Sequence, residues 1–145
     1  MGRPPLLERL VPALEAHQAA EAADVASCRH PQFGPTVACG AGGTLVELLK
    51  DVAVRLSPLT RRDSASMLRE LRSFPLLEGY RGAPPCDIEV LMDVPVRISA
   101  LAEDHPHIAE LDCNPVIVST SGAVVVDARV RVAAAAPRRP LGARR

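Results

Sequence analysis

The chain has no tryptophan, one tyrosine and two phenylalanines among its 145 residues. A core without aromatic bulk must be filled by Leu, Val, Ile and Ala, and an apolar share of 48% supplies enough of them for one domain. Net charge is missing too. Seventeen basic residues balance 17 acidic ones, which excludes a general attraction to nucleic acid or to an anionic membrane. No apolar run reaches the roughly 20 residues that cross a bilayer, and the opening residues lack the charged-then-apolar pattern of a secretory signal. Cys28, Cys39, Cys86 and Cys113 form no CxxC pair, so reduced thiols in a cytoplasmic setting are expected.

Three segments follow from the pattern along the chain. Residues 1–28 form an uncertain leader. Leu6, Leu7, Leu10 and Leu14 recur at helical spacing, but Pro12 would cost a helix interior roughly 3 kcal/mol. Residues 5–26 therefore stay open between a broken helix and a strand with a helical follow-on. Residues 133–145, "AAAAPRRPLGARR", are low in complexity, proline-broken and basic, and are expected to be a disordered tail.

Residues 29–132 carry the folded part. Strands are expected near 36–39, 45–48 and 52–56, where β-favouring runs alternate with glycines. A helix follows, with Thr60 as its cap, Asp63 in its first turn and Met67, Leu68 and Leu71 as its apolar stripe. A second helix starts near Asp87, after Pro84-Pro85, and buries Ile88, Leu91, Met92, Ile98, Leu101 and Ala102. Pro95 lies on that stripe and predicts a kink rather than two elements. Two further strands close the run. The expected class is α+β: a mixed or antiparallel sheet with two helices packed on one face.

Those last strands, "ELDCNPVIVSTSGAVVVDARV", hold polar groups among aliphatic ones. Strict alternation puts Asp112, Asn114 and Val116 on one face, with Leu111, Cys113 and Ile117 on the other. A turn centred on Thr120-Ser121, with Gly122 supplying backbone freedom, sets Asn114 opposite Asp127 and Asp112 opposite Arg129. Opposed residues have Cβ atoms roughly 4.5–5.5 Å apart, so oxygens of both could touch one divalent cation. A solvated strand face with an ordinary Asp112–Arg129 ion pair is the competing reading.

Three stretches together, "FGPTVACGAGGTLVELLKDVAVRLSPLT", "LLEGYRGAPPCDIEVL" and "IAELDCNPVIV…GAVVVDARV", resemble the C-terminal part of the ATP-grasp domain of ADP-forming acyl-CoA synthetases. The likeness runs from Arg29 to about Val132. It implies the C-terminal lobe of an ATP-grasp fold and ATP/ADP and Mg²⁺ as cofactors. It also implies phosphoryl exchange between the nucleotide and a histidine carried by a separate CoA-binding ligase domain. The resemblance assigns Asn114 and Asp127 to Mg²⁺, with Asp112 as a helper, and lets Arg129 meet a phosphate oxygen. It further implies a complementary N-terminal ATP-grasp half as partner, since that half normally brings phosphate-binding lysines and this chain has only Lys50.

Two groups stay open. Gly40, Gly42 and Gly43 either bring backbone amides to a phosphate or allow tight turning of the chain. Glu47 and Arg55 either reach the cleft or stay solvated. The four histidines have no ligand spacing, and His105 and His107 are read as surface residues. A truncated relative that binds or assembles without turnover is the alternative function.

Overall fold

The computed structural model describes residues 21–42 and 50–135. The strands are β1 (Glu21–His30), β2 (Gly34–Ala41) and β3 (Val52–Leu56), then β4 (Ile108–Ser119), β5 (Gly122–Val125) and β6 (Ala128–Val132). Between β3 and β4 come α1 (Arg61–Glu70), the one-turn α2 (Phe74–Leu77), a 3-10 turn at Tyr80–Gly82 and α3 (Ile88–Asp104). The strands line up as β3-β2-β1-β4-β5, with β6 also on β4. Every pairing is antiparallel. This is an α+β lobe with its helices on one face of the sheet.

Small residues shape that sheet. In β1, Ala23, Val25 and Ser27 point into the core, while Ala22, Asp24, Ala26 and Cys28 take the other face by alternation. On β3, Ala53 is buried, whereas Val52, Val54 and Leu56 are about half exposed. Among the described residues the helices thus cover one face of the sheet and not the other. The core joins Val25, Val37, Val116 and Val118 from the sheet to Met67, Leu68 and Leu91 from the helices. Each such side chain contributes about 1.5–3 kcal/mol by leaving water.

Helix ends are set by local chemistry. Thr60 and Asp63 form a reciprocal capping box at the start of α1, and the Asp87 carboxylate accepts from Val90 N at 3.2 Å to start α3. Pro95 lies buried inside α3, which continues through it as one helix. Buried hydroxyls tie the helices together. Ser64 Oγ donates to Met92 O at 2.7 Å, and Ser99 Oγ accepts from Leu59 N at 2.8 Å. Asp51, only 5% exposed, accepts from Arg72 N and Ser73 N at 2.7 and 2.8 Å. That pins the entry of β3 to the end of α1.

Two sequence expectations change here. The strand nearest the leader begins at Glu21 and runs in the middle of the sheet, so residues 21–28 are built into the lobe. The expected strand at 45–48 and residues 5–20 lie outside the described residues. Secondly, Val116 is completely buried on the helix side with Leu111 and Cys113, not beside Asp112 and Asn114. The reason is a bulge. Between the pairs Val25↔Cys113 and Ala23↔Val116, β4 carries one residue more than β1, and that extra residue reverses the alternation beyond it.

Candidate functional site

The bulge and the hairpin converge on Asn114. Ser119 pairs with Gly122 across the Thr120-Ser121 turn, and the same count continues to Asp112↔Arg129. Asn114 N donates to Asp127 O at 3.2 Å, and Val126 N donates to Pro115 O at 3.0 Å. These two bonds bridge the gap between β5 and β6, so Asn114 and Asp127 stand opposite each other as the register argument expects. Pro115 has no N–H to give the sheet, and proline inside a strand marks such an irregularity.

On the other side of β4, Asn114 and Pro115 together oppose Asp24 of β1. Asn114 Nδ2 donates to Asp24 Oδ2 at 3.2 Å. Asp24 Oδ1 is buried and has no hydrogen-bond partner among the described residues. Partial burial and the nearby charge of Asp112 push the Asp24 carboxyl up to about 6. No ion pair to Asp24 occurs among the described residues. The sequence reading missed this residue because it falls in the leader, where Ala, Ser and Cys give weak hydropathy alternation. The buried partners Ala23, Val25 and Ser27 are the signal that could have exposed it.

Arg129 does not pair with Asp112, although the two oppose each other. Its Nε lies 3.7 Å from Asp127 Oδ2, and both side chains are well exposed. An exposed pair of this kind is worth little in stability and leaves the guanidinium open to a better anion. Glu110, next along the face, is held by Arg131 at 2.6 Å, and that hydrogen bond keeps its carboxyl below the ordinary value.

Beside Asp112 the sheet face opposite the described helices forms a shallow concavity of about 310 Å³ floored by Ala26, Cys28, Thr36 and Ala38. Short side chains leave the sheet backbone open to a ligand there. Gly42 sits at the end of β2, and its N donates to Ala22 O at 2.8 Å. A Cβ on it would fall 2.7 Å from the Ala22 backbone, so close strand approach alone accounts for glycine at that position. Gly43 and Glu47 lie outside the described residues. Arg55 turns to the helix side and pairs with Glu70, away from the concavity. His105 and His107 are exposed and touch only edge to face.

The donors around Asn114 are oxygens alone: two carboxylates, a carboxamide and the unpartnered Asp24 oxygen. Among the described residues no group of three or more His, Cys, Asp or Glu side chains could hold a metal ion. Among the described residues the set is therefore no complete protein cage, and a cation here would draw further ligands from beyond it.

Residues 8–132 match the model of the ATP-grasp domain. The chain is 48% identical over 102 residues to ADP-forming acetate–CoA ligase I of Archaeoglobus fulgidus, covering 70% of this chain and 15% of that protein. It is 45% identical over 106 residues to the beta subunit of ADP-forming acetate–CoA ligase I of Pyrococcus furiosus, covering 73% of this chain and 46% of the subunit. Among solved structures, the dinucleotide-forming acetyl-coenzyme A synthetase 1 of Ca. Korarchaeum cryptofilum superposes with a TM-score of 0.76 at 42% identity. That match covers 78% of this chain and 53% of the other. That structure holds coenzyme A and Mg-AMPPCP, with a phosphohistidine segment pointing towards the nucleotide binding site. The chain thus spans about half, or less, of the length of these relatives.

Proposed function

The chain belongs to the ATP-grasp domain family, and from that premise we propose that it is the lobe holding Mg²⁺ and the nucleotide phosphates in an ADP-forming acyl-CoA ligase. The observation that carries this reading is the meeting of Asn114 and Asp127 across the hairpin. Their donor chemistry fits the ion. Mg²⁺ takes oxygen ligands, commonly one or two carboxylates from the protein with phosphate and water completing the shell. An incomplete oxygen set of Asp127, Asn114 and Asp112 beside a buried unpartnered oxygen is of that kind.

The reaction class is acid, CoA and ATP giving acyl-CoA, ADP and phosphate, with the phosphoryl group carried on a histidine of a separate CoA-ligase domain. When bound, the cation neutralises phosphate charge and holds the transferring group in line. Within this chain, Asn114 on β4 and Asp127 in the link between β5 and β6 opposite it would supply two oxygens, and Asp112 a third. Arg129 exchanges its weak contact with Asp127 for a phosphate oxygen, where a charge-assisted bond is stronger. The short-chain floor of the concavity takes the rest of the nucleotide. Residues 29–132, extended back to Glu21, form the lobe in this reading. The cytoplasm suits free thiols at Cys28, Cys39 and Cys113.

A phosphohistidine-bearing domain and the complementary ATP-grasp lobe are the required partners. Supplied with both, the chain should support ATP formation from ADP and phosphate driven by acyl-CoA breakdown, and Asp127→Ala should abolish it. Binding of both partners without any turnover would favour the second reading, an assembly module. The single lysine, Lys50, is the feature on that side.

A further inference from the structure

We infer that Asp24 is a positioning residue that fixes the Asn114 carboxamide with its oxygen turned toward the cation. This inference rests on the proposed metal site and adds a residue to it. A carboxamide has a donor end and an acceptor end, and only the acceptor can serve a cation. Which end faces the site depends on what the other end holds. Here Asn114 Nδ2 donates to Asp24 Oδ2 at 3.2 Å, and reversing the amide would set two oxygens against each other. The donor end is therefore committed to β1.

The backbone makes the contact possible. Asp24 is the single β1 residue opposing both Asn114 and Pro115, because β4 bulges there. A regular ladder would place Asp24 across from one residue only. Among the described residues Asp24 Oδ1 remains buried and unpartnered. Second contacts of this type orient metal ligands elsewhere and are commonly worth about 10- to 100-fold in metal affinity.

Two measurements on the full chain test the role. The first needs no ligand: in ¹⁵N NMR the Asn114 side-chain amide should show a hydrogen-bonded, exchange-protected signal. That signal should be kept in Asp24→Asn, whose amide oxygen still accepts, and lost in Asp24→Ala. The second is Mn²⁺ binding in the presence of ADP, followed by water proton relaxation. Asp24→Ala should weaken it about tenfold, Asp24→Asn should stay within about threefold of the parent, and Asp24→Ala should change nothing further in an Asn114→Ala background.

An unprotected Asn114 amide in the parent chain would overturn the positioning role whatever the protein does. Equal losses in Asp24→Asn and Asp24→Ala would overturn it too, since Asp24 would then act by charge. Additive losses in the double variant would do the same. A protected amide in a chain whose Mn²⁺–ADP binding is unaffected by Asp127→Ala would instead refute the metal site itself.

Discussion

Replacing Asp24 by asparagine should stabilise the fold near neutral pH and do nothing in acid. The carboxyl ordinarily titrates near 3.8 and is pushed up to about 6 in the folded chain, chiefly by burial and then by Asp112. The folded state thus binds the proton more tightly than the unfolded state. Stability from this group is fully present below pH 3.8 and is lost as pH rises through about 6. At ~1.4 kcal/mol per tenfold, the full shift would be ~3 kcal/mol, but water reaches part of the side chain and screening reduces it to ~1 kcal/mol. Asparagine keeps an acceptor for Asn114 and carries no charge to desolvate. Urea unfolding in metal-free buffer should therefore place Asp24→Asn ~1 kcal/mol above the parent at pH 7, or ~3 °C in Tm, with the gap closing at pH 4. A variant equal to or weaker than the parent at pH 7, or a gap that persists at pH 4, would refute the argument.

Asp51→Ala should cost ~3 kcal/mol, because Arg72 N and Ser73 N lose a buried charged acceptor; chemical denaturation would show it. Burial alone would raise the Asp51 carboxyl, but the hydrogen bonds from Ser73 and the Arg72 and Ser73 backbone outweigh it and hold it low. That stabilisation is present above the ordinary carboxylate value and fades as pH falls through the lowered one, so parent and Asp51→Ala should draw together in strong acid. Gly42→Ala should destabilise by ~1–3 kcal/mol, since its methyl would collide with the Ala22 backbone; thermal unfolding checks this, and an unchanged Tm would mean the β1–β2 approach is looser than described.

Much of the hairpin was legible because it depends on counting. A two-residue turn and opposite-facing alternation fix register, so Ser119↔Gly122 and Asp112↔Arg129 could be written down from the turn alone. The helix limits were legible for a similar reason: Thr60, Asp63 and Asp87 are cap residues whose side chains bond locally. The bulge was not counted, although Pro115 in a strand interior announces one. It moved Val116 to the core and brought Asn114 to Asp24. Ion pairing was also illegible, because register sets which Cα atoms oppose, not which way a long guanidinium swings; Arg129 went to Asp127. Asp24 itself depends on the pairing of β1 with β4, residues some ninety positions apart, and no local pattern carries that.

The most direct measurement is calorimetric titration of ADP into the purified chain, with and without Mg²⁺, for the parent and for Asp127→Ala. The expected result is heat that requires Mg²⁺ and disappears in the variant. Binding that ignores Mg²⁺, or that survives Asp127→Ala unchanged, would contradict the claim that the Asn114–Asp127 pair holds a metal against nucleotide phosphates.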